Sequence, residues 1–455
     1  MKLRVFLAIA VCKALRLLAR ILHRGGTAKP GEIALKICPE LLHILSRDVE
    51  TVVVTGTNGK TTSCRMLEEA FTRADFDCIA NRSGANLMSG ITTEFVMASS
   101  LGGKCRKHYA VMECDEGWTK KVLSALEPRV FLVTNLFRDQ VDRYGDVSNT
   151  LAAIAAGVAA SPRTTLCLNV DDAITATLGR EVPNPLVWYG IDASAAEPGT
   201  QPGEAEVTGC MCCGAQLEYD YVNYAHLGGF RCPQCDHRRP EADIAVTAIN
   251  ESGPDSSQVT VRLYGEERPV TVGLPAQYNI YNAVGALAAA TAAGVPEELA
   301  VAAVGEFDCG FGRMEKFDVG AGARMVLVKN AAGANQVLEF LEDRKAPFRL
   351  IFITNNRGAD GTDISWIADA DFERLAEMDT VTHITLSGIC AQQMEERLLQ
   401  AGLSPDKLSL QTDYAALAEE VAGSEVPCFL LPSYTGMMEF RPHLIKRTGG
   451  KQFWE

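Results

Sequence analysis

Short β-branched runs alternate with stretches of helical periodicity along most of the chain. Thr51–Thr55 is an apolar run of strand length, and a helical pattern follows over Thr61–Ala74. Tyr109–Met112, Val130–Thr134 and Thr165–Asn169 repeat the strand signal. Ala283–Ala293 reads as an Ala-rich helix stopped by Gly294 and Pro296. Strands that alternate with helices predict parallel sheets with crossover helices, an α/β fold.

The alternation breaks once. Residues 193–206 are rich in Ala, Pro, Gly and Glu and read as a surface linker. A Cys-rich segment follows from Cys210 to Cys235, and strand signals return at Ile244–Ala248 and Val259–Leu263. This is the pattern of a small module, residues 207–240, inserted into a larger domain. A second boundary falls near Arg313–Lys316. Beyond it Met325–Val328, Arg349–Thr354, His383–Leu386 and Cys428–Leu431 read as strands between helices. The expected organisation is a lead-in over 1–48, a central domain over 49–313 that carries the insert, and a C-terminal doubly wound α/β domain over 314–455.

Met1 to Leu22 is apolar with Lys2, Arg4, Lys13, Arg16 and Arg20 interspersed. Its longest uncharged run, Val5 to Cys12, is too short to cross a bilayer. Lys13 and Arg16 interrupt what would be the apolar core of a signal peptide. The segment predicts an amphipathic helix with two open readings. It packs on its own domain, or it lies as a basic interfacial helix on anionic lipid, in peripheral contact with a membrane.

Composition narrows the class. A chain of 455 residues predicts two or three domains, and 47% hydrophobic with 22% charged residues is a globular balance. A net charge of -14 argues against a sequence-independent nucleic-acid binder, which needs clustered Lys and Arg. The 15 cysteines are odd in number. Cys38, Cys64, Cys78, Cys167 and Cys428 read as small buried hydrophobes, and so many unpaired thiols point to a reducing cytoplasm.

Two motifs carry chemistry. Thr55-Gly56-Thr57-Asn58-Gly59-Lys60-Thr61-Thr62 joins a strand to a helix. Gly56 and Gly59 let the backbone turn its N–H groups toward phosphate oxygens. Lys60 can reach the β- and γ-phosphates of ATP, and the Thr61 hydroxyl can bind Mg²⁺. Val54 occupies the first Gly position of the general phosphate-loop pattern, so this is a variant of it. The second motif is Cys210-x-x-Cys213 and Cys232-x-x-Cys235, 18 residues apart, within the spacing of a Cys₄ zinc ribbon. Four thiolates close the coordination sphere of Zn²⁺, so the site is expected to be structural. Cys212 reads as a bystander. Tyr219, Tyr221, Tyr224, His226 and Phe230 give the module an aromatic hairpin, and the acidity of the chain argues against its binding nucleic acid.

The phosphate loop resembles that of the Mur ligase family, and further landmarks follow in order. Glu113 matches a Mg²⁺-binding Glu. Thr134-Asn135 with Asp139-Gln140-Val141-Asp142 resembles the T-N-x-x-x-D-H-L-D segment. Asn169-Val170-Asp171-Asp172 resembles the N-x-D-D turn, Asn279 and Asn282 the H-N-x-x-N helix start, and Gly312-Arg313-Met314-Glu315 the G-R-x-E hinge whose Arg reaches ATP. Gln140 replaces a metal-binding His, which puts the second metal site in doubt, and Tyr278 replaces another His. Lys329-Asn330-Ala331 stands where an amino-acid-adding ligase has D-Y-A-H-N-P.

A Mur-type ATP site with an inserted Cys₄ ribbon is similar to one narrower group, the MurT synthetase subunits of lipid II isoglutaminyl synthase. Gly31-Glu32-Ile33-Ala34-Leu35 and Leu431-Pro432-Ser433-Tyr434-Thr435-Gly436-Met437 also fit it. The resemblance implies a heterodimer with a GatD-like glutaminase. It also implies ATP-dependent amidation of the D-glutamate α-carboxylate in lipid II or a related precursor, through an acyl phosphate. It points to an Asp in the C-terminal domain at Asp360 or Asp363, acting on the partner's Cys–His pair or in the synthetase reaction. It implies too that the C-terminal domain closes over the ATP site about Arg313. Gly388-Ile389-Cys390-Ala391-Gln392 lacks the second Gly of a glutaminase nucleophile motif, and the chain has no H-x-E. Cys390 therefore reads as core, and ammonia is expected from outside the chain. An amino-acid-adding Mur or folylpolyglutamate-type ligase and a non-catalytic ATP-binding zinc-ribbon protein are the alternatives.

Overall fold

The computed structural model describes residues 2–21, 28–82, 85–137, 147–180, 182–196, 208–253, 255–307 and 313–448. The chain divides into two compact units that meet in sequence between Phe307 and Asp308.

The first unit is built on strands β1 (Glu50–Thr55), β2 (Cys78–Ala80), β3 (Tyr109–Glu113), β4 (Val130–Val133), β5 (Thr165–Asn169) and β6 (Leu186–Ile191). A hairpin of β7 (Glu218–Tyr224) and β8 (Leu227–Arg231) follows, and then β9 (Ile244–Ser252), β10 (Ser257–Leu263) and β11 (Glu266–Val272). The main sheet runs β11-β10-β9-β6-β5-β4-β1-β3-β2. It is parallel from β2 to β9 and antiparallel across β9, β10 and β11. Valines and leucines run without interruption through β1 and β4 because helices cover both faces there. In β10 only alternate residues are fully buried, the mark of a strand covered on one face.

Helices α1 (Lys2–Ile21), α2 (Ala28–Ile37) and α3 (Leu41–Ser46) precede the sheet, and α4 (Lys60–Arg73), α5 (Met88–Ala98) and α6 (Thr119–Leu126) cross between its strands. Val5, Ala8, Ile9 and Cys12 of α1 share a core with Leu41, Leu42, Val53 and Phe95. The packed reading of α1 therefore holds for one of its faces.

The second unit has β12 (Arg313–Phe317), β13 (Ala323–Val326), β14 (Phe348–Ile353), β15 (Val381–Ser387), β16 (Leu408–Leu410) and β17 (Cys428–Pro432), in the order β12-β13-β17-β14-β15-β16. Only the β12–β13 pair is antiparallel among the described strands of this sheet. Phe348, Leu350 and Phe352 of β14 enter one core while Ile351 and Ile353 enter another, so alternate side chains serve opposite faces. Both faces carry helices, as a doubly wound sheet requires.

Three sequence expectations need adjustment. The helix expected from Ala283 starts at Gln277, because its first turn is buried and its Asn side chains are hydrogen-bonded rather than competing with the helix. The strand expected over Ile244–Ala248 continues to Ser252, since β10 pairs along its whole length. Cys64 and Cys78 are half-buried rather than buried. Most of the linker, residues 197–206, lies outside the described residues.

Arg441 makes a two-pronged pair with Glu315, its Nη2 2.7 Å from Oε1 and its Nε 3.0 Å from Oε2. Both side chains are buried. Losing one partner of such a pair leaves a charge in a dry site. Arg441→Leu is therefore expected to cost about 3–5 kcal/mol in denaturant unfolding of the second unit. An unchanged midpoint would show the pair to be dispensable.

Candidate nucleotide and metal sites

The phosphate loop leaves the C-terminal end of β1, between β3 and β4, where an open α/β sheet offers a crevice. Gly56 has φ +127°, and a Cβ there would lie 2.2 Å from Thr134 Oγ1. Gly59 has φ +84°, and its Cβ would lie 2.0 Å from Asn282 Oδ1. Both positions need glycine on two counts, conformation and space. Gly59→Ala is expected to abolish nucleotide binding, read by fluorescent ATP-analogue titration. Retained affinity would mean that the loop tolerates a different shape.

Two segments buttress the loop. Thr57 N–H donates to the Asn135 carbonyl at 2.8 Å, and Asn58 N–H donates to Asn135 Oδ1 at 2.9 Å. Thr134 Oγ1 donates to the Asn58 carbonyl at 2.7 Å. Asn279 donates to the Pro275 carbonyl, and Asn282 donates to Asn279. The Asn135 amide thus bonds the turn directly, while Asn279 fixes Asn282, whose Oδ1 fills the space against Gly59. Thr62 is buried beneath the loop at the start of α4.

Lys60 Nζ lies 2.7 Å from Glu116 Oε1 and also donates to the carbonyls of Gly56 and Thr57. Burial works against its ammonium, but the carboxylates of Glu116 and Glu113 outweigh it and hold the group above its ordinary range. Thr61 Oγ1 donates to Glu113 Oε2 at 2.8 Å. Glu113 sits opposite Val54 in the β1–β3 register, which places its carboxylate beside the loop. Its backbone is clamped in both directions by Asn81. A hydroxyl and a carboxylate in contact next to a phosphate loop are the donor set a Mg²⁺ ion takes. Sequence reasoning missed Glu116. Its signal was an Asp115-Glu116 pair just past the end of the strand beside the loop.

Asp139-Gln140-Val141-Asp142 and Gly312 lie outside the described residues, as does the side chain of Arg313; the Arg313 backbone begins β12.

The Sγ atoms of Cys210, Cys213, Cys232 and Cys235 all lie within 4.8 Å of one another. Two of the pairs measure 3.7 and 3.4 Å. Four sulfurs at about 2.3 Å from a tetrahedral zinc stand about 3.8 Å apart, so the cluster fits that ion. Cys212 is exposed and outside the cluster. The hairpin packs inward. Tyr219 and Phe230 join Ala173 and Ala176 in a core, and His226 is fully buried beside Asp172. Burial works against the Asp172 carboxylate, but hydrogen bonding and charge from His226 outweigh it and hold it below its ordinary range. The aromatics that could have stacked on bases are thus used for packing. Arg239, near the end of the inserted module, donates to Asp171 at 2.6 Å, and Tyr281 donates to the same carboxylate at 2.9 Å.

Metal binding and folding of such a ribbon are linked. Cys232→Ser is expected to cost at least about 3 kcal/mol, lowering the first unit's Tm by about 6–12 °C at about 2–4 °C per kcal/mol. Metal content measured on the same samples checks the cause, and a full complement of zinc in the variant would sink it.

In the second unit, the loop after β14 and the turn after β17 meet at the C-terminal ends of the strands. Asp360 Oδ1 accepts from Thr435 N–H and Oδ2 from Thr435 Oγ1, each at 2.6 Å. Asn355 Nδ2 donates to Thr435 Oγ1 at 3.0 Å, and its Oδ1 accepts from Ile389 N–H at 2.8 Å. Asp363 is exposed and accepts from Ser365 N–H at 2.8 Å, as an Asx-type cap does. Cys390 is buried under this cluster, and burial pushes its thiol up.

Comparison with known proteins matches both halves. Residues 54–211 fit the Mur ligase middle domain, and residues 327–437 fit the MurT ligase C-terminal domain. The chain is 32% identical over 98% of its length and 98% of its relative's to a Streptococcus pneumoniae protein described as lipid II isoglutaminyl synthase (glutamine-hydrolyzing) subunit MurT.

The chain belongs to the MurT family of Mur ligases.

A Staphylococcus aureus MurT subunit is 30% identical over 99% of this chain and 100% of that one. Among solved structures, a pseudomurein peptide ligase type C from Methanothermus fervidus superposes with a TM-score of 0.65 at 19% identity, covering 88% of this chain and 79% of that one. That likeness establishes the fold. The MurT domain match spans Asp360 and Thr435, the two positions joined in the second unit. The MurT relatives align with nearly the whole chain, and membership makes it a ligase.

Proposed function

We propose that this chain is the ATP-dependent half of a two-subunit amidotransferase. It activates the α-carboxylate of D-glutamate in the stem of lipid II and delivers it to ammonia from a separate glutaminase subunit, giving D-isoglutamine. Full-length similarity to MurT subunits carries the reading, and an intact phosphate loop supports it. The substrate carboxylate attacks the γ-phosphate, forming a C–O–P linkage and releasing ADP. Ammonia then attacks the acyl carbon and phosphate leaves. Lys60 places its charge against the transferring group, and the backbone of Gly56–Thr62 holds the polyphosphate. Thr61 and Glu113 would hold Mg²⁺, which neutralises charge on the phosphates when bound. Cys210, Cys213, Cys232 and Cys235 would hold a structural Zn²⁺. Asp360 is the preferred functional Asp of the second unit: beyond accepting from Arg357 N–H in its own loop, as Asp363 does from Ser365 N–H, it has both oxygens bonded across to Thr435. In this reading the chain forms a heterodimer and works in the cytoplasm, where ATP is supplied.

The test uses the purified chain with ATP, Mg²⁺, lipid II and a high concentration of ammonium salt, read by mass spectrometry and phosphate release. The mass change of –OH to –NH₂ is expected. A mass gain with a free amino acid instead would make the chain an amino-acid-adding ligase and overturn the reading.

A further inference from the structure

Helix α1 is apolar on two opposite faces. Val5, Ala8, Ile9 and Cys12 are buried in the first unit's core. The other face carries Leu3, Leu7, Ala10, Ala14, Leu17 and Ile21 at alternating steps of four and three, which lines them up along one stripe, with Phe6 and Leu18 beside it. Leu3, Leu17 and Ile21 are 70, 61 and 64% exposed, values that leave these side chains essentially in solvent. Phe6, Leu7 and Leu18 are exposed too. An apolar row of this length on an outer surface marks an interaction site.

The surroundings of the row fix its occupant. By helical position Lys2 and Lys13 border the row on one side and Arg4 on the other. The first 31 residues hold seven Lys and Arg and no Asp or Glu, in a chain of net charge -14. The loop after α5 lies against α1. Lys13 donates to the Ser99 carbonyl, and a Cβ on Gly103 would stand 3.1 Å from Val5 Cγ1. This loop meets α1 along the edge of its covered face and carries exposed Leu101, Lys104 and Arg106. The stripe also has coiled-coil spacing, but pairing with a second copy would set basic borders against basic borders. No described helix is long and apolar enough to cross a membrane.

We propose that the outward face of α1, with Leu101 and the basic side chains around it, docks the chain on the surface of a bilayer that contains anionic lipid. The inner face anchors the helix to the domain, so the outer row is presented as a fixed strip parallel to the surface. Leucines and Phe6 enter the headgroup boundary, and the Lys and Arg side chains meet lipid phosphates. This inference is independent of the amide-forming reading, since a surface-bound chain need not be a synthetase. A lipid-linked substrate would give the docking a use, holding the phosphate loop near the plane in which the substrate diffuses.

Co-sedimentation of the full-length chain, alone and with its glutaminase subunit, tests it. Vesicles of phosphatidylcholine are compared with vesicles that also contain phosphatidylglycerol. Binding at least about ten-fold stronger to the anionic vesicles is expected, falling in high salt as each basic side chain loses its share of about five-fold. The triple variant Leu7→Gln, Leu17→Gln, Leu18→Gln changes only exposed residues. It should keep the wild-type melting curve and its activity on a soluble, lipid-free precursor, and lose vesicle binding by about ten-fold or more. No binding to anionic vesicles, or undiminished binding by the folded triple variant, would overturn the proposal. So would hydrogen exchange that shows α1 protected by the glutaminase subunit while vesicles leave the complex in solution, since the face would then be a protein interface.

Discussion

Replacing Lys60 with alanine is expected to lower ATP-dependent amide formation by on the order of 10²–10³-fold, with phosphate release falling in step. The argument starts from the charge. Lys60 sits between the loop carbonyls and two carboxylates, and the carboxylates hold its ammonium above the ordinary 10.5. A group raised in the folded state contributes stability that is present below its unfolded pKa and lost as pH rises through the folded value. Lys60 therefore stays charged throughout the neutral range, and the activity profile should show no limb from it there. The variant also removes the cation beside buried Glu116, so lost activity could reflect lost structure. The double variant Lys60→Ala, Glu116→Gln removes both charges and separates the two effects. If it melts near wild type and stays inactive, the lysine acts on the phosphates. If either variant keeps more than a tenth of the wild-type rate with ammonium, the phosphate role assigned to Lys60 fails.

How far the sequence could be read depended on how local each signal was. The strand Thr51–Thr55 and the turn after it were legible because an apolar run, two glycines and a lysine lie within a dozen residues. The Cys₄ cluster was legible for the same reason, since spacing alone limits which sulfurs can meet. Glu116 was not, because its partner Lys60 comes from another strand's loop and only the β1–β3 register brings them together. The two readings of α1 could not be separated either. Both of its faces are apolar, and periodicity cannot say which one the domain covers. The structure buries Val5, Ala8, Ile9 and Cys12 and leaves the other row outside, so the packed reading describes one face and the exposed row is what the bilayer proposal rests on. What sets Asp360 apart from Asp363 likewise lies far off in sequence, in a contact with Thr435, 75 positions away.

That contact sets up the second large effect. Asp360→Asn is expected to depress glutamine-dependent amidation by on the order of 10²–10⁴-fold, the range lost when a carboxylate that orients a catalytic imidazole is made neutral. The same variant should retain the ammonium-dependent rate within a few-fold. Both Asp360 oxygens accept from Thr435, and Oδ2 also accepts from Arg357 N–H at 3.1 Å, so the carboxylate is held in a single orientation at the rim of the sheet. Cys390 cannot supply the glutaminase nucleophile in its place, being buried with its thiol pushed up rather than activated. A carboxylate presented this way suits an imidazole brought by a partner. Loss of both rates together would move Asp360 into the synthetase reaction itself. The variant Asp363→Asn is the internal comparison. Its side chain caps Ser365 at the surface, and it should leave both rates near wild type. Thr435→Val, which removes one donor to Asp360 and keeps the shape, should fall between them. A Thr435→Val enzyme with undiminished glutamine-dependent rate would show that the fixed orientation of Asp360 is not what the reaction uses.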